Sequence, residues 1–308
     1  MSVPETNVES ANKAYRPNIV GRVWLRGLCV LPVPLLAYVG RGLGWFFYVF
    51  DRRRRHIAEV NLKLCFPELQ ASGHRNLLRN HFLTSGQALL CTLGIIWYRP
   101  RRRLTKWVRL IDREHYDNAL RQNRNIIIVA PHFLGVELAF ARLSMEQEIA
   151  GMYRPPRHNI LHWALDHKRR QFGAIPIEND SSLRKLIRIL RNGIPFYYAP
   201  DLDQGRAPQH VYAPFFGHPA ATVTALSRLA KMTNAVVIPY VARQLGSNRG
   251  YEARFYPPLD NFPGVDIQAD AERMNGLIES WVRENPEQYF WIHRRFKTRP
   301  GSEKSLYK

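Results

Sequence analysis

The run Asn125-Ile-Ile-Ile-Val-Ala130, closed by Pro131, constrains the fold more than any other stretch of this chain. A short β-branched segment with no polar member after Asn125 reads as a buried strand, and proline, which lacks the N–H that a ladder needs, ends it in a loop. Further strands are expected at Ile194–Ala199, Ala235–Val241 and Tyr251–Tyr256. Between them lie helical patterns. Ser181–Gly193 carries serines at its start, a glycine stop, and Leu183, Leu186, Ile187 and Leu190 on one face. Ala221–Met232 also reads as a helix, and a last one from about Asp270 to Glu284 aligns Met274, Leu277, Ile278 and Trp281 before Pro286. Upstream, Ile57–Phe66 and Arg75–Trp97 show helical apolar spacing. Such alternation predicts an α/β fold with a central, largely parallel sheet flanked by helices, whose active site lies outside the carboxyl ends of the strands.

Charge narrows the partners. With 45 Lys+Arg against 25 Asp+Glu, the net charge is +20, so some partner is acidic: nucleic acid, anionic lipid or an acidic protein. The basic residues cluster in Arg52–Arg55 and in Arg99, Arg101, Arg102 and Arg103, each beside apolar sequence, which suits a lipid headgroup layer better than nucleic acid. From Gly27 to Phe50 the chain is almost uncharged, interrupted by Arg41, and reaches the length of a bilayer span only by counting that arginine, two prolines and four glycines. Trp45, Phe46, Phe47 and Tyr48, followed at once by arginines, suit an interfacial aromatic belt. A buried helix pair with a solvated basic turn is the alternative. The three cysteines, Cys29, Cys65 and Cys91, encode neither a disulfide framework nor a zinc site and fit a reducing, cytoplasm-facing location. The expected organisation is a polar segment at 1–20, a membrane-associating segment at 21–55, one catalytic domain at 56–300 and a tail at 301–308.

Chemistry concentrates at the exit of the first strand. In Pro131-His-Phe-Leu-Gly-Val-Glu137, His132 and Glu137 sit where α/β proteins keep catalytic groups. A five-residue separation leaves the two about 140° apart on a helix and on opposite faces of a strand. Only a loop entering a helix after His132 brings the carboxylate back against the imidazole, to hold the base in one tautomer. Otherwise His132 is an incidental loop histidine beside a first-turn glutamate.

The segment Ala130–Glu137 resembles the His-x4-Asp/Glu block of the glycerolipid acyltransferase superfamily. Three further segments resemble the lipid A biosynthesis late acyltransferases within it: Tyr198-Ala-Pro-Asp-Leu-Asp-Gln-Gly205, Pro214-Phe-Phe-Gly-His-Pro-Ala-Ala-Thr222 and Glu287-Gln-Tyr-Phe-Trp-Ile-His-Arg-Arg-Phe-Lys-Thr-Arg-Pro300. The likeness runs from roughly residue 20 to 300, and the four blocks in order make it specific. It implies a glycerolipid acyltransferase-like fold and transfer of an acyl chain from an acyl carrier protein thioester to a hydroxyl of a phosphorylated glycolipid, at the cytoplasmic side of the inner membrane. Neither a cofactor nor a metal is implied. His132 becomes the general base, Glu137 the residue that orients it, and no covalent acyl-enzyme is expected. Arg169 and Arg170 are candidates for the oxyanion or an acceptor phosphate, and Asp201 and Asp203 for orienting such an arginine or shaping the site. Arg294, Arg295 and Lys297 are candidate phosphate ligands; read blandly, their segment caps the sheet. His293 is not expected to be the base.

Three rivals stand beside this reading. A nucleic-acid-binding protein explains the charge but lacks a recognition motif. A structural membrane protein with a decayed site predicts that His132→Ala changes no lipid. An acyltransferase of the same fold acting on another acceptor, such as an aminolipid, a phosphatidylinositol mannoside or lysophosphatidate, keeps the chemistry and changes the substrate.

Overall fold

The computed structural model describes residues 19–153, 169–178, 183–205, 209–246, 249–301 and 303–307. A seven-stranded sheet contains β1 (Val108–Ile111), β2 (Ile126–Val129), β3 (Ile149–Tyr153), β4 (Ala174–Glu178), β5 (Phe196–Tyr198), β8 (Val236–Gln244) and β9 (Tyr251–Phe255), in the order β1-β9-β8-β2-β5-β3-β4. A separate antiparallel hairpin pairs β6 (His210–Phe215) with β7 (His218–Val223). Within the large sheet every pairing is parallel except β8 with β9, so the sheet is mixed and mostly parallel.

Around it pack α1 (Ile19–Val30), α2 (Val33–Phe50), α3 (Arg52–Cys65), α4 (Ala71–Trp97), α5 (Pro100–Trp107), α6 (Glu114–Arg121), α7 (Val136–Ser144), α8 (Leu183–Arg191), α9 (Ala225–Thr233) and α10 (Ile267–Glu284). Strand β2 shows why its sequence carries no polar residue. Ile127 and Val129 enter one core with Ile57, Leu62, Leu229 and Ile278, whereas Ile126 and Ile128 enter the other with Leu104, Tyr116 and Leu138. Alternate side chains leave a strand on opposite faces, and here both faces are covered by helices. Each such burial contributes about 1.5–3 kcal/mol.

The helix expected from Ala221 begins only at Ala225, because His218–Val223 is taken up by the hairpin. Its turn is made by Phe216 and Gly217, both at positive φ (51° and 75°), the backbone that suits the twist of a two-residue hairpin. The serines read as the cap of α8 lie outside the described residues, as do positions 1–18 of the polar N-terminal segment.

The apolar N-terminal stretch is two helices broken at Pro32. Helix α2 runs antiparallel along α4 through glycines: a Cβ on Gly40 would lie 2.6 Å from the Gly86 carbonyl oxygen, and one on Gly44 2.2 Å from that of Phe82. The opposite side, with Leu35, Tyr38, Val39, Trp45, Phe46 and Phe50, is exposed. Arg52–Arg55 form the first turn of α3, where their charge opposes the helix dipole. Asp51 offsets this: its carboxylate accepts the Arg54 amide at 2.9 Å and the Arg54 guanidinium at 2.8 Å. Arg55 turns back to cap α2, donating to the carbonyls of Tyr48 (2.6 Å) and Val49 (3.1 Å).

Candidate active site

Strands β2 and β5 are parallel neighbours, with Val129 opposite Tyr198. Each then reads Ala-Pro: Ala130-Pro131 after one, Ala199-Pro200 after the other. The ladder continues one step, Ala130 N–H donating to the Tyr198 carbonyl at 2.9 Å, and then both chains leave the sheet. The next residues, His132 and Asp201, therefore emerge side by side at the carboxyl ends of adjacent strands.

They are joined twice. The His132 ring Nδ1 lies 2.7 Å from Asp201 Oδ1, and the His132 backbone N–H donates to Oδ2 at 2.8 Å. Asp201 is 1% exposed, and its imidazole partner is 27% exposed. Burial alone would raise the Asp201 carboxyl, but the charge of His132, its two hydrogen bonds and nearby Arg295 hold it below the ordinary carboxylate value. An ionised carboxylate only accepts, so Nδ1 carries a proton in either charge state, and in the neutral ring Nε2 keeps its lone pair.

Glu137 does not hold the histidine, as its place in the motif suggested. Seated in the first turn of α7, it forms a two-pronged pair with Arg169, whose Nε and Nη2 lie 2.8 and 2.6 Å from its carboxylate oxygens. Among the described residues no hydrogen bond joins Glu137 to His132. The physical reason is the one already visible in the spacing: five positions carry the glutamate past the imidazole, and a neighbouring strand supplies a carboxylate at the right level instead. His132, Glu137 and Arg169 nonetheless line one cavity of about 510 Å³. Its walls are apolar at Val136, Phe140, Gly151, Met152 and Pro176, and aromatic at Tyr197, Tyr198 and Phe290.

The remaining candidates separate. Arg170 is exposed and is not part of the cavity wall. Residues 166–168 of its segment lie outside the described residues. Asp203 reaches the wall, but its carboxylate is taken up by the chain: Oδ1 accepts from Gly205 N–H and the Thr298 hydroxyl, both at 2.8 Å, and Oδ2 from Thr298 N–H at 2.6 Å. It staples the 201–205 loop to the C-terminal segment and is not placed as a substrate ligand.

Arg295 is not a phosphate ligand either. At 2% exposure it is buried, donating to the Ala221 carbonyl (2.8 Å), Thr222 Oγ1 (3.1 Å) and Asn275 Oδ1 (3.2 Å), so no lipid phosphate reaches it. Arg294 lies over the Tyr307 ring at 5.8 Å, half-buried, and Lys297 is exposed beside Gly205.

The site also includes a residue set aside at the sequence level. His293 lines the cavity, and its Nε2 accepts the Asp203 backbone N–H at 2.9 Å. Asn61, fully buried, positions that segment by donating to the carbonyls of Trp291 and His293, each at 2.7 Å.

This geometry offers a base, a carboxylate that fixes its tautomer, a cation and an apolar chamber. The chain matches the family model for bacterial lipid A biosynthesis acyltransferase over residues 10–298. It is 35% identical over 289 residues to the lipid A biosynthesis lauroyltransferase of Escherichia coli strain K12, covering 94% of this chain and 93% of that protein. To the palmitoleoyltransferase of the same strain it is 33% identical over 289 residues, with 94% and 92% covered. The myristoyltransferase shares 28% over 314 residues, covering 99% and 94%. A match of this extent means that the chain belongs to the bacterial lipid A biosynthesis acyltransferase family.

Proposed function

We propose that the protein transfers a fatty acyl chain from an acyl carrier protein thioester to the hydroxyl of a 3-hydroxyacyl chain on a lipid A precursor, with His132 as general base. The carrying observation is the His132–Asp201 pair, with His132 in the wall of a largely apolar cavity. Lone-pair Nε2 removes the hydroxyl proton as the oxygen attacks the thioester carbonyl; the C–S bond then breaks, and the imidazolium returns the proton to the departing sulfur. Positioned base catalysis of this kind contributes about 10² to 10⁴-fold in rate. Glu137 acts on Arg169 rather than on the base: its two-pronged grip fixes the guanidinium against the cavity, where it meets a phosphate or the polarised carbonyl. Thioesters are reactive acyl donors, so the step needs stabilising donors more than it needs a further activator.

The catalytic domain adopts a glycerolipid acyltransferase-like architecture in this reading and faces the cytoplasm from the inner membrane. The exposed stripe Leu35, Tyr38, Val39, Trp45, Phe46 and Phe50, with exposed Arg41, Arg52, Arg53 and Arg54 nearby, supports attachment to an anionic bilayer. Helix α2 is also long and apolar enough to cross one.

Mass spectrometry of lipid A from matched strains carrying the wild-type chain, His132→Ala or no gene tests the assignment. Loss of one secondary acyl chain in both mutants is expected, and its mass gives the chain length. An unchanged profile would move the acceptor to another lipid.

A further inference from the structure

Oxygen-atom chemistry at the thioester needs more than a base. As the hydroxyl adds, the carbonyl π pair moves onto oxygen, and that oxyanion requires a fixed donor within hydrogen-bond reach. His293 has the attributes of one. It reaches the same cavity as His132, from the segment in which Tyr289 bridges Phe133 beyond β2 and His293 itself meets the Asp203 amide beyond β5. Phe290 of that segment lies against the base, with ring centroids 6.2 Å apart.

The tautomer of His293 is dictated by the backbone. A peptide N–H only donates, so the Asp203 amide 2.9 Å from Nε2 requires a lone pair there. In a neutral imidazole the proton then resides on Nδ1. Among the described residues Nδ1 has no hydrogen-bond partner, nor is it one of the fully occluded unpartnered atoms. Neutrality is secured by surroundings: burial drives the ring's pKa down to about 4, with His132 and Arg295 adding to the effect and Asp201 and Asp203 opposing it. The ring is thus a donor that does not titrate where the base works.

Its placement is rigid for the same reasons that the segment is. Asn61 grips the His293 carbonyl at 2.7 Å, Tyr307 Oη donates to Asn61 Oδ1 at 2.6 Å, and Asp203 ties the adjoining loop to Thr298. A donor held this way needs no reorganisation as charge develops.

We propose that His293 is a catalytic residue whose Nδ1–H donates to the thioester oxygen as it becomes anionic, while His132 takes the hydroxyl proton on the other side of the reacting carbon. The balance of the step is unchanged: the C–O bond forms, the C–S bond breaks, and the proton passes through His132 to sulfur. The proposal rests on the acyl-transfer reading.

The test uses the full chain in detergent, a dodecanoyl acyl-carrier-protein thioester and a lipid A precursor, with wild type, His132→Ala, His293→Gln and His293→Asn assayed together. Glutamine places its carbonyl oxygen near the Nε2 position, so it still accepts the Asp203 amide but removes the Nδ1 donor. Asparagine does the converse, keeping a donor near Nδ1. His293→Gln is expected to lower kcat by about 10² to 10³-fold with KM changed little, as for loss of an oxyanion donor. His293→Asn is expected to retain more of kcat than His293→Gln. A His293→Gln enzyme with wild-type kcat overturns the proposal while leaving the acyl-transfer reading intact. Wild-type protein that transfers nothing from dodecanoyl, tetradecanoyl or hexadecenoyl thioesters alike overturns that reading instead. Should both variants fail to fold, ¹⁵N-histidine spectra of the wild-type chain decide: an Nδ1–H tautomer, with its proton resonance moved by a ketone analogue of the dodecanoyl thioester, supports the role, and an Nε2–H tautomer or an unmoved resonance overturns it.

Discussion

At the scale of single residues, position in a parallel register outweighs proximity in sequence. His132 and Asp201 are 69 residues apart and 2.7 Å from one another, whereas His132 and Glu137 share a motif and no bond. Both partners were visible as candidates, but their pairing was not, because it depends on β2 and β5 being neighbours. A signal was present nonetheless: Val-Ala-Pro-His132 and Tyr-Ala-Pro-Asp201 end two strands in the same way. Arg295 was misread for a related reason, since a basic residue in a linear run reads as solvated, and only the packing of β7 and α10 shows it buried. Gly151 carries a prediction about substrate choice. A Cβ there would lie 2.9 Å from Phe140 Cζ, so the glycine lets that ring form the cavity wall. Gly151→Val is expected to push Phe140 inward and shift preference toward shorter acyl donors. Competition among donors of graded length reads this out, and an unaltered preference would place the chamber's end elsewhere.

Elements with strong periodicity were legible: β2, β5, β8, β9, α8 and α10 agree with the sequence reading within three residues, while α3 and α4 begin five and four residues earlier than it places them. Those that escaped carry turn residues or have contexts that only the fold creates. Strand β4 contains Pro176, which is tolerated because β4 is the edge of the sheet, and β3 contains Gly151. The hairpin β6–β7 hid behind a turn with Phe216 at positive φ, where Asn or Gly is usual. The N-terminal stretch reads from sequence as a membrane-associating segment, with a buried helix pair as the alternative; α2 combines features of both, with glycines against α4 and aromatics outward. This packing fixes an expected outcome for Gly86→Leu, whose Cβ would stand 2.2 Å from the Gly40 carbonyl oxygen. Forced separation of α2 from α4 costs about 1–3 kcal/mol, measurable as a lowered thermal midpoint of the purified protein; an unchanged midpoint would mean that the two helices are not packed in this way.

Across the whole molecule, the cavity is assembled from distant parts, and two histidines in desolvated surroundings, the buried His81 and the half-buried His293, make the fold sensitive to acid. His81, wholly buried with Nδ1 at the Glu287 carbonyl (3.0 Å), is driven to a pKa of about 4 by desolvation, as His293 is. Because both native pKa values lie below the unfolded value of about 6.5, the unfolded chain binds more protons in between. Stability is therefore full above pH 6.5 and falls as pH drops toward 4, by about one proton per histidine. Urea titrations across that window check this, and a flat profile would mean that the rings are hydrated. Asp201, with its lowered carboxyl, adds a loss only below the ordinary carboxylate range. The most direct measurement of the mechanism is the rate of acyl transfer by the purified full-length protein, from an acyl carrier protein thioester to a lipid A precursor, in Asp201→Asn beside Glu137→Gln. An asparagine amide that donates to Nδ1 leaves the ring proton on Nε2, facing the hydroxyl, so kcat is expected to fall by about 10² to 10⁴-fold, with a smaller loss for Glu137→Gln. Wild-type turnover in Asp201→Asn would contradict the pairing of His132 with Asp201 as the working base.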